Sequence, residues 1–249
     1  MPEVHAKLSA SGSKRWMNCP RSVALESLFP EQSSEYAEEG TKAHSAAETI
    51  LNFLRKNKTE ELNKFTEALK KENPEMHSNV MAYVEFVTEK YQQMILDGDT
   101  PMMFIEERVN FSKYVPDGFG TIDCLLIGKR LIINDLKYGK GVLVEAEDNS
   151  QLRLYAVGAL EDYGWIYEEI EEVEMNIIQP RLHSISTEII TTKALLKWAK
   201  ETAKKAKMAD ENKGSYCPGA DQCKFCKARA LCKARANHML TTIASILSK

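Results

Sequence analysis

The sequence lacks any long apolar segment. No apolar run approaches the roughly 18 residues that a helix needs to span a bilayer. Residues 1–8 contain no apolar core of the signal-peptide kind, so the sequence predicts a cytoplasmic protein. A basic excess is also absent: the net charge is −3, so any binding of nucleic acid must depend on local patches. The sequence contains no internal repeat and no low-complexity tract.

The cysteines are unevenly distributed. Four of the six cysteines lie within sixteen residues, at Cys217, Cys223, Cys226 and Cys232. In a cytosolic chain, such a cluster indicates metal binding rather than disulfide bonds. The C-x-x-C pair within it can hold one metal centre. Cys19 and Cys124 stand alone, and an isolated free cysteine is commonly a small buried apolar residue.

The spacing of apolar residues predicts a mixed α/β fold. Helical spacing dominates residues 34–57, 60–71 and 75–96. From Met102 the period becomes two, which is typical of strands. The predicted strands are residues 102–109, 121–127, 131–136, 142–145, 173–178 and 185–190. Three further helices are predicted. The first is capped by Asp148 or Ser150 and ends at residue 160, the second covers 192–211, and the third covers 233–247 and packs back on the body.

Two carboxylates interrupt the apolar strands of the predicted hairpin over 121–136. Asp123 and Asp135 are costly in such strands unless they are paired or hold a metal. Lys137 lies two residues beyond Asp135, so the two side chains share a face. Two carboxylates and an ammonium at one sheet edge suit a site for a hard cation. A salt-bridge cluster on an edge strand would give the same short pattern.

Two helices carry further candidate residues. His44 follows Gly40-Thr41 in the first turns of a predicted helix, where a lone histidine is more often a packing residue than a ligand. Gln151 and Tyr155 are four residues apart and therefore share one face of a helix.

Taken together, these motifs resemble the RecB-type branch of the PD-(D/E)XK nucleases, particularly its members with a four-cysteine iron–sulfur cluster. The resemblance covers about residues 8 to 235. The matching segments are Gly40–His44 for the G-T-x-x-H helix, Gly120–Asp123 for motif II, Asp135–Lys137 for the (D/E)-x-K of motif III, and Gln151–Tyr155 for the Q-x-x-x-Y helix. Cys19 in a W-x-x-C-P context, followed by C-x-x-C-x5-C at Cys223, Cys226 and Cys232, matches the cluster cysteines.

The resemblance implies a restriction-endonuclease-like mixed sheet flanked by helices, with an N-terminal helical region and a C-terminal Cys-rich loop. It implies one nuclease domain over residues 1–249, with segments 1–33, 34–100, 101–212 and 213–249. The expected activity is metal-dependent hydrolysis of DNA phosphodiesters, by an exonuclease of phage recombination or repair. Expected partners are DNA ends or single strands and a single-strand annealing protein, with no membrane, in the host cytoplasm if phage-encoded. Oligomeric state stays open.

The resemblance also assigns roles to residues. Mg²⁺ or Mn²⁺ would be held by His44, Asp123, Asp135 and the carbonyl of Leu136, and Lys137 would orient water or neutralise developing charge. The resemblance places Gln151 and Tyr155 against DNA, and Tyr138, Lys140 and Arg153 are further candidate phosphate contacts. Cys19, Cys223, Cys226 and Cys232 would hold a 4Fe–4S cluster that joins the two chain ends, with Cys217 as the competing fourth ligand and zinc as the alternative occupant.

Two other functions fit the same sequence. One is a catalytically inactive DNA-binding or scaffold member of the same fold. The other is a zinc-knuckle interaction protein, in which the acidic site is incidental.

Overall fold

The computed structural model describes residues 6–30, 35–167 and 170–248. Helices form most of the N-terminal part, and Asn73 caps the longest of them by accepting a hydrogen bond from the N–H of Met76 at 2.9 Å. Pro74 occupies the first position of that helix, where its missing N–H costs nothing. The helices are α1 (Ser13–Asn18), α2 (Ser22–Glu26), α3 (Glu35–Arg55), α4 (Thr59–Glu72) and α5 (Pro74–Leu96).

The described part of the chain continues into a five-stranded sheet with the spatial order β1-β2-β3-β4-β5. Neighbouring strands are antiparallel except β3 and β4, which are parallel and connected through a helix. The strands are β1 (Met102–Asn110), β2 (Phe119–Ile127), β3 (Leu131–Leu136), β4 (Glu172–Gln179) and β5 (Ser184–Thr191). The remaining helices are α6 (Ser150–Tyr163), α7 (Thr192–Asp210), α8 (Ala220–Lys224) and α9 (Lys233–Leu247).

Each face of the sheet is covered by a hydrophobic core. On one face, Leu131 and Ile133 of β3 pack in a cluster with residues of α6 and α7. On the other, Ile132 and Leu136 pack in a cluster with residues of α3 and α5. Because β3 is buried on both faces, its sequence is a nearly continuous apolar run rather than an alternating one. Asp135 therefore belongs to a strand that excludes water from both sides.

The predicted mixed α/β architecture is confirmed: a mixed sheet is flanked by helices. The helix predicted over 34–57 is α3, although position 34 lies outside the described residues. The strand predicted over 142–145 is wrong, because this segment has no strand partner among the described residues. The side chain of Gln179 satisfies it instead, accepting from the N–H of Val144 at 2.7 Å and donating to the carbonyl of Val142 at 3.0 Å.

Two details of the helices also differ from expectation. The N-cap of α6 is Asn149, whose side chain accepts from the N–H groups of Gln151 and Leu152, while Ser150 is already helical. Helix α9 does not pack back on the body, and its residues from Ala236 to Leu247 are exposed. No helix in the described ranges has the length and apolarity to cross a bilayer.

Candidate metal centre

The hairpin of β2 and β3 carries both predicted carboxylates. Asp123 lies near the middle of β2, and Asp135 lies near the end of β3. The backbone N–H of Leu136 donates a hydrogen bond to Asp123 Oδ2 at 2.6 Å, so the carboxylate of one strand fixes the end of the other. This contact brings the segment Asp135–Lys137 next to Asp123.

A local break in the β1–β2 ladder orients Asp123. Backbone pairing continues on both sides of Glu106 but skips this residue and Asp123. Glu106 has a φ of +50°, a strained conformation for a residue with a side chain. Ile122 packs in the core on the α6 side, whereas Cys124 packs in the core on the α3 and α5 side. Residues two apart on a regular strand would share a face, so the strand changes faces at Asp123.

Three side chains meet at this break and form a candidate cation site. His44 on α3 places Nδ1 3.2 Å from Asp123 Oδ1. One ligand atom each from His44, Glu106 and Asp123 lie within 4.8 Å of one another. One imidazole nitrogen and two carboxylate oxygens suit Mn²⁺ or Mg²⁺ better than a thiolate-preferring metal.

Glu106 was not predicted from the sequence. The signal available was a second acidic strand residue, next to Glu107, on a strand that could pair with that of Asp123. Its position at the site depends on the positive φ, which a period of two does not predict.

The protonation of His44 reflects its neighbours. Burial acts against the charged imidazolium, but the hydrogen bond to Asp123 and the charges of Asp123 and Asp135 outweigh it and raise the pKa to about 9. A cation bound at Nδ1 would have to replace this proton.

Asp135 begins a second polar chain, which runs from β3 to α6. Its Oδ2 lies 2.7 Å from the ammonium of Lys137, and its Oδ1 accepts from the Gln151 amide at 3.3 Å. Lys137 donates in turn to Gln151 Oε1 at 3.2 Å, and the Gln151 amide lies 3.0 Å from the hydroxyl of Tyr155. Within the described residues, Asp135 Oδ2 has no hydrogen-bond partner beyond this ion-pair contact. The four side chains form one continuous polar chain.

Burial sets the electrostatics of this chain. Asp135 is only 3% exposed, and burial raises the pKa of its carboxyl despite the opposing charge of Lys137. For Lys137, burial favours the neutral amine, but the charges of Asp135 and Asp123 outweigh it and raise the pKa of the ammonium. The charged forms of Asp135 and Lys137 are therefore stabilised mainly by their mutual attraction and less by hydration.

An open groove of about 650 Å³ leads to the cation site. His44, Glu106 and Tyr155 line it, together with Gly120 at the start of β2. A Cβ at Gly120 would lie only 2.5 Å from Tyr155 Cε1, so glycine is needed for the tyrosine ring to pack against this strand. Burial raises the pKa of the Tyr155 hydroxyl, which keeps it neutral. The groove is therefore lined by carboxylate, imidazole and phenol groups.

Three of the predicted DNA contacts lie elsewhere. Tyr138 is 3% exposed and lies under Arg181, whose guanidinium carbon is 4.6 Å from the ring centre. Lys140 forms an ion pair with Glu75 at 2.8 Å. Arg153 bonds to the carboxylates of Glu188 and Asp148. As DNA contacts these three residues stay predictions, and each would have to leave a present partner to bind a phosphate.

The cysteines of the two chain ends lie together. Four of them line one narrow cavity, namely Cys19, Cys223, Cys226 and Cys232. Among the described residues, Cys217 is not one that lines it, and its thiol is exposed. The backbone N–H of Cys217 instead donates to the sulfur of Cys19 at 3.3 Å. Burial raises the pKa of the Cys19 thiol.

Contacts between the ends support this arrangement. Arg15 of α1 bonds to Glu26 of α2 at 2.6 Å and to the carbonyl of Phe225 at 3.3 Å. Glu26 also accepts from the backbone N–H of Lys227 at 2.8 Å. The N-terminal helices and the Cys-rich segment are therefore joined by hydrogen bonds as well as by the shared cavity.

Residues 5–248 match the model of the family described as “Protein of unknown function (DUF2800)”. The chain belongs to the DUF2800 family. It is also similar, at 12% identity, to the “Putative exonuclease” from Eubacterium rectale, with 87% of this chain and 86% of that chain covered and a TM-score of 0.40. A second solved structure, of the protein SSO0001, is 13% identical, with coverages of 90% and 95% and a TM-score of 0.33. Both TM-scores are low, and neither likeness establishes a shared fold.

Proposed function

We propose that this DUF2800 protein is a metal-dependent deoxyribonuclease of the RecB-like PD-(D/E)XK type. The observation that carries the proposal is the hairpin of β2 and β3. On it, Asp123 contacts His44, while Asp135 contacts Lys137 and Gln151. The hydrogen bond from Leu136 N–H to Asp123 links the contacts around Asp123 to those around Asp135. Such a set places carboxylates for a cation and an ammonium for phosphate charge on two neighbouring interior strands of the sheet.

The donor atoms fit a divalent cation. His44, Glu106 and Asp123 would hold it, with Asp135 next to them on the neighbouring strand. The Asp135 Oδ2 atom is buried and, among the described residues, contacts the Lys137 ammonium alone, which supports a further ligand role. A divalent cation supplies a Lewis acid for the scissile phosphate and lowers the pKa of a water molecule. The Leu136 carbonyl stays a proposed ligand by resemblance alone.

The residues of the polar chain have distinct roles in this proposal. Lys137, held by Asp135 and Gln151, would place a fixed positive charge where negative charge develops on the phosphate. Gln151 would keep the ammonium and the Asp135 carboxylate in one orientation, since it bonds to both. Tyr155, neutral and facing the groove, would contact the DNA strand.

The cysteine site supports a proposed iron–sulfur cluster. Cys19, Cys223, Cys226 and Cys232, the four cysteines that resemble the cluster ligands of the family, line one cavity. Four thiolates also suit zinc, which stays the alternative occupant. Phosphodiester hydrolysis requires no electron transfer, so the proposed role of the cluster is structural.

The test is digestion of end-labelled linear and closed circular DNA with Mn²⁺, with Mg²⁺ or with EDTA. We expect metal-dependent loss of linear DNA, abolished in Asp135→Asn and retained in Glu85→Gln, a matched change at an exposed carboxylate of α5. Loss of linear DNA alone would support an exonuclease, the activity expected in recombination beside a single-strand annealing protein. Cutting of circles as well would indicate an endonuclease.

Two results would contradict the proposal. Full activity of Asp135→Asn would show that the hairpin of β2 and β3 is not part of the active site. Absence of cutting by the folded, metal-supplied protein would favour the inactive DNA-binding or scaffold alternative. A metal analysis that found zinc in place of iron would contradict the cluster assignment alone, because the hairpin does not depend on it.

A further inference from the structure

The charge of this chain is divided unevenly along the sequence. Residues 192–249 contain thirteen Lys and Arg against four Asp and Glu, which is a net charge of +9. The whole chain has a net charge of −3, so residues 1–191 carry a net charge of −12. Asymmetry of this kind is typical of proteins in which one part binds a polyanion.

The lysines of helix α7 are arranged on one face. We define the α7 lysine face as Lys193, Lys197, Lys200, Lys204 and Lys207, all of which are exposed. At 3.6 residues per turn they fall within about 80° of the helix circumference and extend over roughly 21 Å of its axis. The residues buried by the same helix lie on the opposite side, at Leu195, Ala199, Thr202, Ala206 and Ala209.

These lysines are not balanced by carboxylates. Within residues 6–30, 35–167 and 170–248, Lys193, Lys197, Lys200 and Lys204 make no ion pair, and Lys207 lies 4.0 Å from Glu211. Glu201 borders the face but pairs with none of them in these ranges. Like charges three or four residues apart on a helix destabilise it by about 0.2–0.5 kcal/mol per pair. Folding alone therefore does not account for the face.

Helix α7 also lies beside the helix of the candidate metal centre. Its buried side packs against α6, and the guanidinium carbon of Arg153 lies 5.7 Å from the centre of the Trp198 ring. Arg153 is two residues from Gln151, which contacts Asp135 and Lys137. The middle of α7 thus contacts α6, the helix that also carries Gln151 and Tyr155 of the polar chain.

We propose that the α7 lysine face binds the phosphate backbone of DNA outside the metal centre. The identification of the polyanion as DNA rests on the proposed function. The lysine face is roughly 21 Å long. That length corresponds to about six phosphates of one strand, because each strand of a duplex carries one phosphate per roughly 3.4 Å of the helix axis. A membrane-binding helix would present apolar residues beside its lysines. Among the described residues of α7, Met208 is the one large apolar side chain that is exposed, at 40%, and Leu195 is buried in the core, which favours a nucleic acid.

The test is DNA binding without catalysis. Fluorescence anisotropy of a labelled duplex and a labelled single strand is measured in EDTA over a range of salt concentrations. The variant is Lys197→Gln/Lys200→Gln/Lys204→Gln. The control is Lys56→Gln/Lys70→Gln/Lys71→Gln, which removes the same charge from exposed positions on and near α4. Sedimentation with phosphatidylserine vesicles is the second measurement.

We expect the α7 variant to bind DNA at least about tenfold more weakly at low salt, with the control unchanged. The slope of log affinity against log salt concentration should become shallower in this variant. The expected change is about 0.9 per lost phosphate contact for the duplex and about 0.7 for the single strand. Equal binding by variant and wild type, or an equal loss in the control, would overturn the proposal. Wild-type protein that binds vesicles but neither DNA would overturn it too.

Failure of this proposal can be told apart from failure of the nuclease assignment. Binding through the lysine face without any metal-dependent digestion would leave the face standing and contradict the nuclease. Metal-dependent digestion with unchanged binding by the α7 variant would leave the nuclease standing and contradict the face.

Discussion

The ion pair between Asp135 and Lys137 makes a sharp prediction about stability. In Lys137→Met the apolar stem is kept and the ammonium is lost. Asp135, only 3% exposed, is then left with the Gln151 amide as its polar neighbour, at 3.3 Å. Removing one partner of a buried pair leaves an uncompensated charge, which typically costs about 3–5 kcal/mol.

The structure limits this cost from above. The carboxyl can escape the penalty by binding a proton, which at pH 7 costs about 4 kcal/mol relative to an unfolded-state pKa of about 3.9. The Lys137 side chain is 27% exposed, so water entering the vacated space offsets part of the cost. We therefore expect Lys137→Met to lower the free energy of unfolding by about 2–4 kcal/mol at pH 7.

The dependence on pH follows from the direction of the shift. Burial already raises the pKa of Asp135 above its usual value, and Lys137 opposes that shift. Without Lys137 the folded-state pKa rises further, so the folded variant binds the proton more tightly than the unfolded chain. Relative to wild type, the destabilisation begins above the folded-state pKa of Asp135 in wild type and grows as pH rises towards the higher pKa of the variant. Between pH 7 and pH 5 it should shrink, by at most about 1.4 kcal/mol per pH unit, because one proton is involved.

The assay is urea unfolding followed by tryptophan fluorescence at pH 7 and pH 5, without added divalent cation. Lys70→Met, at an exposed position of α4, is the matched control and should match wild type at both pH values. The double variant Asp135→Asn/Lys137→Met should regain most of the lost stability, because no buried charge remains. A destabilisation by Lys137→Met that is equal at both pH values would refute the reasoning.

Two further predictions concern the candidate ligands. Glu106→Gln should weaken Mn²⁺ binding about tenfold or more in calorimetry, whereas Glu107→Gln, whose carboxylate bonds to Tyr163, should not; equal affinities would exclude Glu106 from the site. Cys19→Ser should lose iron, sulfide and brown colour, whereas Cys217→Ser should retain all three, because Cys19 alone of the two lines the shared cavity. The opposite result would make Cys217 the fourth ligand.

Most of the fold is predictable because its elements have clear periods. The hairpin over 121–136 alternates or runs apolar between turn residues, and α5 and α7 keep an apolar stripe. Where period gives no information, prediction fails. Val142–Glu145 has β-forming residues, but the carbonyl of Val142 and the N–H of Val144 bond to the Gln179 side chain, a tertiary contact that no local pattern contains. Helix α9 is amphipathic, which predicts that its apolar side is buried. Its sequence does not show which part of the protein would pack against that side.

The candidate site divides along the same line. Asp123, Asp135 and Lys137 can be named from the sequence because charges within apolar strands are conspicuous. Glu106 cannot, because its proximity to His44 depends on a backbone break with a positive φ. Arg153 looks like a phosphate contact in sequence, whereas its guanidinium bonds to Glu188 and Asp148. Its role as a phosphate contact stays a prediction, because a local pattern does not contain a partner such as Glu188, 35 residues away.

Helix α1 connects the cysteine site with the metal centre. Cys19 directly follows α1, and Ser13 at the start of that helix lies 2.6 Å from the hydroxyl of Ser150, a buried contact. Ser150 begins α6 and precedes Gln151, which orients Asp135 and Lys137. A group held by Cys19 and the C-terminal cysteines would fix α1, and α1 in turn fixes the first turn of α6. In the proposed nuclease, a structural cofactor would therefore affect catalysis, because it would set the position of Gln151.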